Sequence, residues 1–288
     1  MANRLCYPAA CLLVAASLMA CAQQSSQTPQ APDPVAVPEA NPGRPTVATP
    51  ATLTPIGYLQ FETGILAGWH SPGVVSQTSI NEVIKYAVSS RIQLLVSTEP
   101  YAHSNAPGQP INAAGDVDLG VQGVVHQGEG ANPTVALSYF GRVYEGNSPD
   151  LDIGSFSNSA LILASADVKG FHYDANFIAD EVVNNDVRRA QLGQTISLSH
   201  GLGKSFGLTF EIWHFSQPFL SGNAVGNLWA VNYNARKNVV LDCGFDHGLT
   251  STSAQWEAFA GFTYLLPRKL PLTWHEKENP AAGKRKDP

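Results

Sequence analysis

The chain reads as an all-β protein, an antiparallel up-and-down transmembrane β-barrel of about twelve strands, because its connections alternate between short and long along the chain. Two further observations agree. Apolar and polar residues alternate with period two through most of residues 56–266, and only 14% of the 288 residues are charged. A soluble β-sandwich shares the alternation. Its outer faces would carry Lys and Glu freely, whereas the polar faces here are rich in Gly, Ser, Asn, Gln and Asp.

Residues 1–22 read as a secretory signal peptide: Arg4 precedes the apolar run Ala9 to Ala20, which is too short to span a bilayer. Ala20-Cys21-Ala22 is a cleavage site releasing Gln23, while Leu18-Met19-Ala20-Cys21 reads as a lipobox that would leave Cys21 lipidated; the first is favoured, since a spanning barrel needs no lipid anchor. Residues 23–55 are Gln, Pro, Ala, Ser and Thr with few large apolar side chains, and are expected to form a disordered linker. Residues 267–288 are rich in Pro, Lys, Arg and Glu and read as a polar tail with Trp274 as its bulky anchor.

Between these ends, strands are expected near 57–66, 77–87, 91–98, 116–125, 133–143, 159–168, 171–179, 190–200, 204–213, 226–235, 238–247 and 254–264. Most are about nine to eleven residues long, enough for a tilted strand to cross a bilayer. Phe206, Leu208, Phe210 and Ile212 share one face, expected to meet lipid, while Ser205, Gly207, Thr209 and Glu211 share the other. Val117, Leu119 and Val121 alternate with Asp116, Asp118 and Gln122 in the same way, and Val239, Leu241, Cys243 and Phe245 with Val240, Asp242, Gly244 and Asp246. Trp256 to Tyr264 repeats the pattern. Ile80 to Tyr86 and Ala160 to Val168 mix both kinds of residue on both faces, and their inward sides cannot be assigned from the pattern.

Short connections are expected at 88–90, 169–170, 201–203 and 236–237, with a medium one at 126–132. Long ones are expected at 67–76, 99–115, 144–158, 180–189 and 214–225, with 248–253 shorter. Short turns on one side and long loops on the other are the habit of outer-membrane barrels, whose turns are periplasmic. An even strand count then puts both termini in the periplasm of a double-membraned bacterium. The expected partners are outer-membrane lipid, the barrel-assembly machinery and a small-molecule solute of unknown identity. A formal charge of -6 with no basic patch argues against nucleic acid.

Gly57-Tyr58-Leu59-Gln60-Phe61-Glu62, Asn81 to Leu94, and Asp116-Val117-Asp118-Leu119-Gly120-Val121 followed by Pro133-Thr134-Val135-Ala136-Leu137 carry a resemblance. Over about residues 57 to 266 the chain resembles the outer-membrane transporters grouped with the meta-pathway phenol-degradation protein. That resemblance implies a barrel passing small compounds, aromatic or hydrophobic ones among them, with no catalytic residues. One departure is that more than twenty residues follow Tyr264, where such barrels commonly end on their last aromatic strand residue.

If the apolar faces meet lipid, the lumen receives Glu62, Asp116, Asp118, Arg142, Asp174, Glu211, Asp242, Asp246 and Glu257. Acids outnumber bases there. The set reads either as a cation-tolerant aqueous path or as polar side chains that fill a narrow barrel and bond one another. Tyr58, Trp69, Tyr139, Tyr144, Trp213, Phe219, Trp229, Tyr233 and Tyr264 fall near strand ends and are expected to form interfacial girdles, with Trp69, Trp213 and Phe219 alternatively guarding the mouth.

No cofactor, metal or catalytic residue is expected. Cys243 is the one cysteine outside the leader region and reads as a small strand residue; no C-x-x-C or H-E-x-x-H spacing occurs. Gly201-Leu202-Gly203-Lys204-Ser205 is a turn, not a phosphate loop, since no helix follows. The first functional reading is therefore a passive transporter or channel. The alternatives are an outer-membrane lipid hydrolase using His214 and Ser216, with Asn223 or Asn227 in support, and a structural or surface-interaction barrel.

Overall fold

The computed structural model describes residues 37–105, 110–149, 151, 156–220 and 222–270; the expected signal peptide, residues 23–36 and residues 271–288 lie outside the described residues. The strands are β1 (Leu59–Ser71), β2 (Val74–Ala87), β3 (Ile92–Asn105), β4 (Pro110–Ala113), β5 (Val117–His126), β6 (Thr134–Tyr144), β7 (Phe156–Val168), β8 (Phe171–Asn184), β9 (Val187–Leu202), β10 (Phe206–Ser216), β11 (Asn223–Arg236), β12 (Val239–Gly248) and β13 (Trp256–Leu265). Every neighbouring pair is antiparallel, and β1 pairs with both β2 and β13, which closes the sheet. β4 pairs only with the far end of β3, so of the 13 strands all but β4 form the closed ring. The all-β barrel expected from the sequence is the fold observed.

The outward face carries the apolar side chains that alternation assigned to lipid. Leu94, Leu119, Val121, Ile162, Ile196, Phe206, Leu208, Ile212, Leu241 and Phe245 are all exposed. A soluble protein cannot leave such a continuous apolar band in water, whereas a bilayer covers it. Trp69, Tyr139, Tyr144, Trp229 and Tyr233 are exposed on this face as well. Trp213 and Tyr58 are buried. Trp213 sits on the inward parity of β10 with Thr209 and Glu211, and therefore cannot belong to an outer girdle.

Two connections expected as long loops are strand. Residues 67–76 continue β1 into β2 through a turn at Pro72 and Gly73, the latter with φ of 80°. Residues 180–189 continue β8 into β9 through Asn185 and Asp186, whose φ values of 49° and 64° are those of a two-residue mirror-image turn. The polar stretches at these ends carry no alternation to read, yet backbone pairing needs none. The register with β1 runs unbroken through 80–86; the faces mix there because Val83 on the inward parity is apolar while Glu82 on the outward one is charged and accepts the Thr63 hydroxyl.

The larger departure is at the N-terminal side. The described part of the expected disordered linker, residues 37–55, is folded into the barrel, with Ala48 and Ala51 wholly buried. Ala51 packs, with Val47 and Leu53, in a cluster containing Val124, Ala136, Leu161, Leu163, Ile178, Trp213, Phe215 and Ala224. These strand residues face inward. One arc of the lumen wall is thus apolar, which is why 160–168 shows apolar residues on both faces: Ile162 meets lipid, Leu161 and Leu163 meet the segment. A free chain of this composition would not order, but the prepared inner surface of the barrel offsets the entropy of ordering 37–55.

Candidate functional site

The lumen and the segment inside it form the candidate site. The segment is held at its neck by Asn41, whose Nδ2 donates to Thr52 O at 3.0 Å and to Leu53 O at 3.2 Å. Residues on either side contact the rim with the short turns: Ala40 N donates to Lys237 O, and Thr54 N to Gln93 Oε1. Residues 41–54 therefore enter and leave at one end and loop into the barrel between.

Inside, wall side chains satisfy the backbone of the loop from all around the ring. Glu62 on β1 accepts from Gly43 N, Glu211 on β10 accepts from Val47 N at 2.8 Å and Ala48 N at 2.7 Å, and Asn176 on β8 accepts from Thr49 N and donates to Thr49 O. Ser165 on β7 accepts from Ala51 N, and Gln122 on β5 donates to Pro50 O and Ala51 O. A loop without secondary structure has no internal partners for these groups, and burying them unpaired would be costly. The wall supplies the partners.

Arg44 is seated by side chain as well. Its Nη2 is 3.2 Å from Asp242 Oδ1 and its Nε donates to Oδ2 at 3.3 Å. Gly64, Gly261 and Asp242 are successive register partners across β1, β13 and β12. A Cβ at Gly64 would stand 2.2 Å from the guanidinium, and one at Gly261 2.7 Å. The two glycines are the slot and Asp242 is the counter-charge.

All nine side chains expected in the lumen lie on inward positions, but they do different work. Glu62, Glu211 and Asp242 hold the segment directly, and Glu62 also meets Lys85 Nζ at 2.6 Å, both side chains buried. Asp174 receives the Ser165 hydroxyl at 2.5 Å, so it supports the segment through Ser165. Asp246 accepts the Trp213 indole N–H. Towards the long-loop mouth, Arg142 Nη2 is 2.7 Å from Asp116 Oδ2, a charge contact whose N–H is not aimed at the oxygen, and Gly146 N donates to Asp116 Oδ1. Asp118 and Glu257 line the cavity there. The expected aqueous path is thus crossed by the segment.

Besides Gln122, which shares the polar face of β5 with Asp116 and Asp118, the segment is held through Lys85, Gln60, Gln93, Ser165, Asn176 and Arg44, none of which the alternation marks as a lumen charge. The wall residues among them share inward parity with buried neighbours, and an inward Gln or Asn is the signal that could have marked them. Between segment and wall is a cavity of about 340 Å³ whose lining includes Val47, Leu95, Phe140, Phe156, Leu161 and Phe215. A second, of about 400 Å³, lies beyond Val47 and is lined by Gln77, Asp116, Asp118 and Glu257, with Ser148, Pro149 and Leu151 of the β6–β7 connection.

His214 and Ser216 are on the outward parity of β10, opposite the inward, buried Trp213 and Phe215. The Ser216 hydroxyl oxygen accepts Leu192 N at 2.8 Å, and His214 Nδ1 is buried without a partner among the described residues. Asn227 accepts the Trp229 indole N–H on the same face. Among the described residues, the Ser216 hydroxyl bonds a backbone N–H and His214 Nδ1 bonds nothing.

No protein-family model matches the sequence, and no curated protein matches it. Among solved structures the chain is similar to an outer-membrane channel from Pseudomonas putida F1, at 12% identity and a TM-score of 0.56, covering 79% of this chain and 100% of that one. It is also similar to the NanC porin, at 12% identity and a TM-score of 0.52, covering 72% of this chain and 100% of that one. The fold is that of the outer-membrane channel barrels.

Proposed function

We propose that the chain is a passive outer-membrane channel for small compounds whose lumen is closed by its own residues 41–54 and conducts when that loop is displaced. The observation that carries this is the loop's attachment to β1, β3, β5, β7, β8, β10 and β12 at once, across the bore. The attachments are mostly hydrogen bonds to the loop's backbone, which water can replace once the loop moves. The exposed apolar band supports an outer-membrane setting, and the contacts of Ala40 and Leu270 at the short-turn rim favour that rim as the periplasmic one. The apolar arc, with the resemblance to the phenol-degradation grouping, favours aromatic or hydrophobic solutes.

The test is single-channel recording of the refolded protein in a planar bilayer, beside a variant carrying Arg44→Ala and Glu211→Gln. The expected outcome is rare, small openings in the parent and frequent, larger steps in the variant. Equal silence from both, with heat-modifiable migration on a gel intact, overturns the reading.

A further inference from the structure

We propose that the cavity beyond Val47 is a binding site for an organic ammonium ion with an aromatic or similarly apolar body. The site lies in the same lumen and rests on the reading that solutes occupy it; binding is measured apart from flux, so the two can fail separately.

Charge comes first. Asp116, Asp118, Glu99 and Glu257 line this one cavity, and Arg142 contacts Asp116. Asp180 adds a carboxylate in the adjoining cavity, where Lys85 is paired with Glu62. An anionic solute would meet like charges here, which costs binding.

Hydrogen bonding then specifies the guest. Asp118 and Gln77 are 8% and 4% exposed, and Asp118 Oδ1 and Gln77 Oε1 have no donor among the described residues. Both are acceptors, both belong to residues lining this cavity, and buried acceptors without donors are uncommon in folded proteins. A guest that completes them must donate, and an alkylammonium offers three donors and no acceptor. A bare metal ion fits less well: among the described residues no three His, Cys, Asp or Glu converge closely enough to hold one.

The apolar body follows from continuity. Val47, Val83 and Ser97 line both cavities. An ammonium at Asp118 can therefore extend its carbon skeleton past Val83 towards Leu95 and Phe140 in the neighbouring cavity. Each cavity is within the size range of small-ligand pockets, about 300–1,000 Å³.

The experiment is isothermal titration of the full chain in dodecylmaltoside with phenethylammonium, and with 2-phenylethanol, phenylacetate and methylammonium as comparators. Phenethylammonium is expected to bind at least roughly tenfold tighter than each comparator, and Asp118→Asn to weaken it by roughly ten- to a hundredfold, the worth of one hydrogen bond to a charged group. Should Asp118→Asn fail to fold, Gln77→Leu is expected to weaken binding while leaving the charge set intact. Equal binding of 2-phenylethanol or phenylacetate, no effect of either substitution, or no heat with phenethylammonium at millimolar concentration overturns the proposal. Methylammonium binding as tightly as phenethylammonium overturns the apolar half. Binding with the expected preferences in a protein that never conducts upholds the site and overturns the channel.

Discussion

Replacing Glu211 by Gln removes a single oxygen acceptor from the centre of the loop's attachment. Glu211 is fully buried and receives Val47 N–H on one oxygen and Ala48 N–H on the other. A glutamine offers one acceptor and an NH2 group that can only donate, so one of the two backbone N–H groups is left facing another donor. Losing one hydrogen bond to a charged group costs about 1.5–3 kcal/mol. A net cost of about 2 kcal/mol corresponds to roughly thirtyfold in the ratio of docked to undocked loop. Hydrogen-exchange mass spectrometry reads this ratio directly, because protected amides exchange only through opening. The amides of Val47, Ala48, Thr49 and Ala51 should exchange roughly thirtyfold faster in the variant, with β9, β10 and β11 unchanged. Unchanged protection at 47–51 would refute the attachment, and loss of protection in β10 itself would show that Glu211 holds the wall instead.

Three further outcomes follow from single contacts. Gly64→Ala places a Cβ where the Arg44 guanidinium lies, so exchange should quicken at residues 43–46; Gly207→Ala, whose nearest neighbour would be 3.7 Å away, should leave it unchanged. Ile212→Arg puts a charge on the exposed apolar face and should destabilise the barrel in vesicles by about 2–4 kcal/mol in urea unfolding if the position is near the bilayer midplane; no change would mean that this face is not in lipid. Lys85→Met leaves Glu62 buried without its 2.6 Å counter-ion, and should cost about 3–5 kcal/mol, part of which Lys85→Met with Glu62→Gln recovers. A double variant as unstable as the single one would show that Glu62 is neutralised by other means.

The barrel was legible because lipid and lumen impose opposite demands on successive residues, so β10 and β12 announce themselves through Phe206 to Ile212 and Val239 to Phe245. Legibility stopped where one of the two demands lapsed. Past the membrane band, His70, Ser71, Asn184 to Asp186, Arg188 and Arg189 put polar residues on both faces, and the strands that carry them read as loops. Along Leu161, Leu163, Ile178 and Phe215 both faces are apolar because the inner one meets the loop and not water. The nine inward side chains could be named from parity alone. What they hold could not, since Glu62, Glu211 and Asp242 hold Gly43, Arg44, Val47 and Ala48, which lie upstream of all three in a stretch without alternation. Residues 41–54 read as low-complexity chain because the wall binds mostly their backbone, so small side chains suffice and leave no pattern.

That mode of attachment has a consequence for how a solute would pass. A segment held by apolar packing alone would on leaving expose its own surface and the arc it covers, but Ala48 and Ala51 are small and Val47 and Leu53 are only partly buried when docked. The polar anchors exchange their partners for water at small net cost. Two states separated by a few kcal/mol can be inverted by a ligand that prefers one of them by a comparable amount. Val47 lines the cavity on each side, so a guest at Asp118 lies beyond the loop from the short-turn rim. On the proposed reading its release towards that rim must follow undocking, whereas its arrival from the long-loop mouth need not. Binding and flux are then ordered steps, and Glu211→Gln should speed flux while leaving the affinity of the acidic cavity as it is.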